Sequence, residues 1–271
     1  MSAPPVMLLQ NLPTDRALPD TPTDGGAAKE KQTFISEGVL LALSTLLGEP
    51  VSFRTEKNGR IIHDIATTKG GADTQTSQAS KVFLNFHNDI VYDENDRYDV
   101  SNPDFLVLYC LRGAPGGAAG TYYCAASEII EFLPPETVAT LRDPRFKLNA
   151  PGGYTKMYAN NQAVWSLPMP LIVGPPESPE IFLAANGVIG IDETAQRALD
   201  SVQELCRSGS IGARVELTPG DALLINNRKG VHARDPFPAR FDGTDRWLQR
   251  TYIRRSLWNI RDKAVDGRLH R

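Results

Sequence analysis

Pro219-Gly220-Asp221-Ala222-Leu223-Leu224-Ile225-Asn226-Asn227-Arg228-Lys229-Gly230-Val231-His232-Ala233-Arg234, followed shortly by Asp245-Arg246-Trp247-Leu248-Gln249-Arg250, is the stretch that decides how this chain is read. The Pro-Gly-Asp triplet is turn chemistry, and the apolar run after it predicts a strand over 222–226. A polar corner then delivers one histidine, and a second strand-like segment, leading into a strand predicted over 248–254, brings Arg246 and Arg250 back past it. Such an arrangement has the form of a site under assembly. The rest of the sequence is therefore searched for partners to His232.

Composition narrows the classes. The 271 residues suffice for one large domain with a sizeable core. Twenty-nine basic and 32 acidic side chains, a formal charge of −3, are too balanced to favour nucleic acid or an anionic membrane. A small molecule is the expected partner; the sequence is silent on oligomeric state. No apolar run reaches a membrane span and no signal core opens the chain, so a cytoplasmic protein is expected. Cys110, Cys124 and Cys206 lie in or beside apolar stretches without CxxC spacing and read as buried thiols.

The first 32 residues, broken by Pro4, Pro5, Pro13, Pro19, Pro22 and Gly25-Gly26, read as an extended or partly disordered arm, with a single domain over 33–271. Helical periodicity predicts helices over 33–47, stopped by Gly48, and over 192–206, capped by Asp192. Ser127 is expected to cap a short helix to residue 133, and Pro134-Pro135-Glu136 to start another to 141. Strands are predicted over 51–54 and 60–65, joined as a hairpin by Lys57-Asn58-Gly59. Further strands are predicted over 81–86, 105–111, 121–126, 145–149, 181–184 and 214–217. The polar segment 67–80 and the charged one 92–104 read as loops suited to a lid or binding role. Many short strands with interspersed helices indicate a mainly β core with flanking helices, sandwich or barrel.

His87 and Asp89 are two apart at the end of a predicted strand, so both point to one face. With His232 from another strand they make two histidines and one carboxylate, a set that suits non-haem Fe(II) with open positions and also Zn(II) or Mn(II). A chelating 2-oxo acid would need a fixed, bidentate cation for its far carboxylate. Arg246 and Arg250, fourteen and eighteen residues beyond His232, are placed to supply it, which favours iron.

His-x-Asp, Gly120-Thr121 after a Gly-rich turn, Pro219-Gly220-Asp221 leading through Asn227-Arg228 to His232, and Arg246-Trp247-Leu248-Gln249-Arg250 together resemble the Fe(II)/2-oxoglutarate oxygenases of the clavaminate synthase and taurine dioxygenase superfamily. The nearer likeness is to the amino-acid hydroxylase branch, and it spans about residues 48–255. The resemblance implies a distorted double-stranded β-helix, or jelly roll. It implies His87, Asp89 and His232 as iron ligands, and Arg246 with Thr121 on the 2-oxoglutarate carboxylate. Arg250 would bind a substrate carboxylate or reinforce the cosubstrate site. One position departs: that branch usually has Glu where Asp89 stands. The implied reaction uses Fe(II), 2-oxoglutarate and O2 to hydroxylate a free amino acid or a derived small molecule, with release of succinate and CO2. Desaturation or cyclisation at the same site is an alternative, as is a metal-binding jelly-roll protein without turnover.

Other residues have blander expectations. His63 and His270 read as lacking a site role, and Trp247 and Trp258 as core. The acidic cluster Asp93, Glu94 and Asp96 reads as a solvated loop or, alternatively, as a holder of a basic substrate group.

Overall fold

The computed structural model describes residues 4–92, 102–265 and 268–269; Asp93, Glu94, Asp96 and His270 lie outside them. Two antiparallel sheets form its centre. The larger contains β1 (Val6–Leu9), β2 (Glu49–Val51), β3 (His63–Ala66), β5 (Phe105–Arg112), β12 (Ala222–Asn226) and β14 (Trp247–Arg254), ordered β1-β12-β5-β14-β2 with β3 also on β14. The smaller is β11-β6-β13-β4, from Ala213–Val215, Thr121–Ala125, Gly230–Arg234 and Leu84–His87. Two-stranded ribbons pair β7 (Phe146–Leu148) with β10 (Val188–Gly190), β8 (Ile172–Val173) with β9 (Glu180–Ile181), and β15 (Ala264–Val265) with β16 (Arg268–Leu269). Among the described residues no sheet closes into a barrel, so the molecule is mainly β with flanking helices.

Alternation along β14 shows how one strand serves two faces. Leu248 and Tyr252 join the core between the sheets with Leu106, Leu108, Leu223, Ile225 and Tyr123. Trp247 and Ile253 instead pack with Leu40 of α1 (Ile35–Leu47), which covers the outer face of the larger sheet. Each fully buried Leu or Ile in such layers contributes roughly 1.5–3 kcal/mol relative to exposure. On the same outer face Trp247 Nε1 and Gln249 Nε2 donate to Asp64 at 2.8 and 3.2 Å. Beyond the smaller sheet, α2 (Ala126–Phe132), α3 (Pro135–Leu141) and α5 (Glu193–Arg207) close a third cluster around Phe146, Phe182 and Leu199, while Tyr154 of α4 (Gly152–Tyr158) packs with Tyr92 and Ala150.

The opening stretch behaves largely as read. Gly220 turns at φ +88, and a Cβ there would stand 2.9 Å from Leu12 O, so only glycine fits unstrained. Asp221 Oδ2 accepts from Thr218 N and Oγ1, both at 2.8 Å, closing the turn before β12. Asn226 Oδ1 then accepts from Arg228 N and Lys229 N, and this corner moves the chain from the larger sheet to the smaller. His232 sits within β13, a strand the polar corner concealed.

Four readings need correction. The predicted Asn-Gly hairpin does not form: Lys57 and Asn58 do take positive φ, but β2 and β3 lie end to end along β14 rather than on each other. Eight residues of β14 offer a longer pairing edge than either short segment offers the other. The cap of α2 is Ala125, with Glu128 accepting its N–H at 3.1 Å, and Ser127 is inside the helix. Trp258 is 70% exposed, with Arg261 stacked on it, and is not core. Residues 6–9, read as part of an arm without packed structure, pair in register with 222–225 because β12 offers a free edge.

Candidate active site

His87 ends β4 and faces His232 of β13 across a register pair, with ring centroids 4.2 Å apart. Asp89 lies just past the strand. Its carboxylate oxygens are 3.8 Å from His87 Nε2 and 3.9 Å from His232 Nε2, too far for hydrogen bonds. One ligand atom from each of the three residues lies within 4.8 Å of the others, which leaves room for an ion among them.

Local structure holds the three in place. His87 Nδ1 meets Asn85 O at 2.7 Å, fixing the ring and leaving Nε2 free to face inward. The Asp89 peptide is gripped by Asn227, and Asn88 Nδ2 donates to Asn227 O and Gly230 O. Ile90 then turns the chain at φ 57, an unfavourable conformation for a β-branched residue, at the exit from the ligand motif.

Charge states suit the group. Burial pushes the His87 imidazole below its ordinary range and takes His232 down to about 3, so both stay neutral and can donate lone pairs. Burial opposes ionisation of Asp89, yet the Arg250 guanidinium, 3.0 Å away, holds its carboxyl below the usual range. Two neutral imidazoles and one carboxylate match the donor set of a non-haem Fe(II) site.

These residues line a cavity of about 420 Å³ together with Thr121, Arg234, Arg246 and Arg250. Thr121 is 3% exposed and its hydroxyl has no partner among the described residues. Arg246 is buried, and among the described residues it has no hydrogen bond or carboxylate partner; burial lowers its pKa to about 10. A guanidinium in that condition calls for an anion, and a cavity wall with a spare hydroxyl is where a ligand carboxylate would find it. The loop 67–80 contributes Gln75, Thr76, Ser77 and Gln78, and the segment after β9 contributes Ala184, Ala185 and Asn186.

All six residues singled out by the sequence thus lie around one cavity. Sequence reasoning passes over others. His63 is fully buried, with Nε2 at 2.8 Å from Arg60 O and Nδ1 at 3.3 Å from Arg250 Nη2, so it helps hold Arg250. Asn227 and Arg234 are also missed. Had 230–234 been recognised as a strand, period-two alternation would have put Arg234 on the face of His232. Nothing local marks His63 or Asn227, whose partners come from distant strands.

The family described as taurine catabolism dioxygenase TauD, TfdA matches residues 30–252. An L-asparagine oxygenase of Streptomyces coelicolor is 31% identical over 263 residues, covering 96% of this chain and 74% of its own length. The crystal structure of an asparagine oxygenase with Fe(II), 2S,3S-3-hydroxyasparagine and succinate superposes with a TM-score of 0.88 at 29% identity, over 98% of this chain and 80% of that one. The non-haem iron oxygenase OrfP with Fe and alpha-ketoglutaric acid gives 0.80 at 26% identity, over 98% and 81%.

Proposed function

Because the chain belongs to the TauD, TfdA dioxygenase family, we propose that it is an Fe(II)- and 2-oxoglutarate-dependent oxygenase that hydroxylates an unactivated C–H of a free amino acid or an amino-acid-derived small molecule. Succinate and CO2 are the coproducts. One observation carries this reading: the His87, Asp89 and His232 cluster shares its cavity with Arg246, a buried cation that has no anion of its own among the described residues.

His87, Asp89 and His232 hold the iron, which when bound supplies dioxygen activation coupled to decarboxylation of the 2-oxo acid. Arg246 and Thr121 receive the far carboxylate. Arg250, fixed between Asp89 and His63, presents its remaining N–H groups to a substrate carboxylate and keeps Asp89 ionised. The two sheets correspond to the halves of a jelly roll in one oxygenase domain that begins at residue 33, and residues 4–32 form an arm laid on it. No helix is long and apolar enough to cross a membrane among the described residues. The uncharged lining at Ala184, Ala185 and Asn186 favours a substrate side chain without strong positive charge, and a small amino acid such as asparagine, the substrate named for a relative, heads the panel.

Anaerobic Fe(II) and 2-oxoglutarate should give the visible charge-transfer band of a chelated 2-oxo acid. An amino-acid panel should then reveal a substrate that stimulates succinate release and gains one oxygen by mass. The reading fails if no band forms and if His87→Ala and Arg246→Ala release succinate as the unsubstituted protein does.

A further inference from the structure

Arg234 pairs in register with Thr121 across β13 and β6, two residues beyond His232 and on the same face. It is 5% exposed and lines the cavity. Its Nη1 donates to Ala79 O at 2.5 Å, while Nε and Nη2 have no partner among the described residues. The guanidinium stands over the Phe237 ring, 4.9 Å from the centroid, and Arg246 stands over the same ring at 5.8 Å.

Two buried guanidiniums therefore share one aromatic ring, and among the described residues neither has a carboxylate within ion-pair distance. Two buried like charges held against one ring are costly without a counter-charge. Anchoring the loop through Ala79 does not explain that cost, because a single neutral donor would serve. An anion bound in the cavity that both line removes it, and the Thr121 hydroxyl, unpartnered among the described residues, supplies another donor to the same cavity.

We propose that Arg234 is the second guanidinium of the subsite for the far carboxylate of the 2-oxo acid, acting with Arg246 and Thr121 to select a 2-oxo dicarboxylate over a 2-oxo monocarboxylate. This rests on the oxygenase reading above. The consequence is a preference set by charge at the end of the cosubstrate remote from the metal, so an acid of equal length lacking that charge loses the contact entirely.

The test is anaerobic titration of the Fe(II)-loaded protein with 2-oxoglutarate and with 2-oxopentanoate, which has the same chain without the far carboxylate. The dissociation constant is read from the charge-transfer band. Arg234→Met should weaken 2-oxoglutarate on the order of 10- to 100-fold, the worth of a charge-assisted hydrogen bond, and leave 2-oxopentanoate unchanged. Arg234→Lys, which can keep the Ala79 contact, should recover part of the loss, and this variant decides the matter if the methionine variant does not fold. In parallel, 2-oxoglutarate should raise the thermal midpoint of the unsubstituted protein more than that of either variant. Equal weakening of both acids would assign Arg234 to loop anchoring alone, and unchanged 2-oxoglutarate affinity would likewise overturn the proposal. A missing band with both acids in the unsubstituted protein would instead remove the oxygenase reading beneath it.

Discussion

Asn227 grips the backbone of Asp89 with both ends of its amide: Oδ1 accepts the Asp89 N–H at 2.9 Å, and Nδ2 donates to the Asp89 carbonyl at 2.9 Å. This pairing crosses from the corner that ends β12 to the residue that supplies the carboxylate of the metal site. The strand carrying His232 leaves from the same corner, so one side chain sets the separation of two ligands.

Asn227→Asp should therefore be more damaging than its size suggests. A carboxylate in place of the amide keeps the acceptor but loses the donor, and sets negative charge against the carbonyls of Asp89 and Pro103. Fe(II) affinity, measured anaerobically by equilibrium dialysis, should fall by about 10- to 100-fold, as for other residues that orient a ligand. Unchanged affinity would show that the Asp89 backbone is held well enough without Asn227.

Asp89 and Arg250 are both largely buried and 3.0 Å apart. Removing either partner leaves the other charge unpaired, at a cost of about 3–5 kcal/mol. Asp89→Asn and Arg250→Met should each destabilise the metal-free protein by that order in urea melts, and the double variant should be more stable than the sum of the two losses predicts. Additive losses would mean the pair is not coupled in the fold.

How much of this was legible in the sequence follows from where each signal resides. His87 and Asp89 are readable because the His-x-Asp spacing is local, even though the strand ends at His87, and Arg246 because its spacing from His232 belongs to a resemblance covering most of the chain. Boundaries of α1, α5, β5 and β12 follow from periodicity and turn chemistry within single windows. His63 is not readable: its role comes from pairing β3 to β14, which aligns His63 with Arg250, and that pairing replaces the local hairpin signal of Asn58-Gly59. Arg234 stayed hidden because the polar corner disguised a strand.

His63 also gives the site a pH signature. Burial and the Arg250 charge lower its pKa to about 3 from an ordinary 6.5. Above pH 6.5 the ring is neutral folded and unfolded, so the group leaves stability unchanged. As pH falls from 6.5 towards 3 the unfolded chain takes up the proton first, and stability drops by about 1.4 kcal/mol per pH unit from this group. Urea melts at pH 8, 6 and 5 should show a shallower acid loss for His63→Gln than for the unsubstituted protein. Parallel curves would mean that His63 titrates normally when folded.

The arm has its own measurable weight. Asp15 accepts from Thr33 Oγ1 at 2.6 Å and from the N–H groups of Ile35 and Ser36 at 3.1 Å, capping α1 from twenty residues upstream, and pairs with Lys31 at 2.9 Å. Helix α1 has no side-chain cap at Phe34, so this carboxylate replaces the usual local device. Asp15→Ala frees buried donors and leaves Lys31 with the Glu37 carboxylate and the Thr33 carbonyl. The loss should exceed the ~1 kcal/mol of an ordinary cap and reach about 2–4 kcal/mol once the broken ion pair is included. Because Asp15 is held below the usual carboxylate range, its contribution is present above its unfolded value of 3.8 and is lost as pH falls through its lower folded value. Chemical denaturation at pH 7 decides the point. A loss below that of an ordinary cap would show that α1 is held in place by packing of Leu40 and its neighbours rather than by the arm.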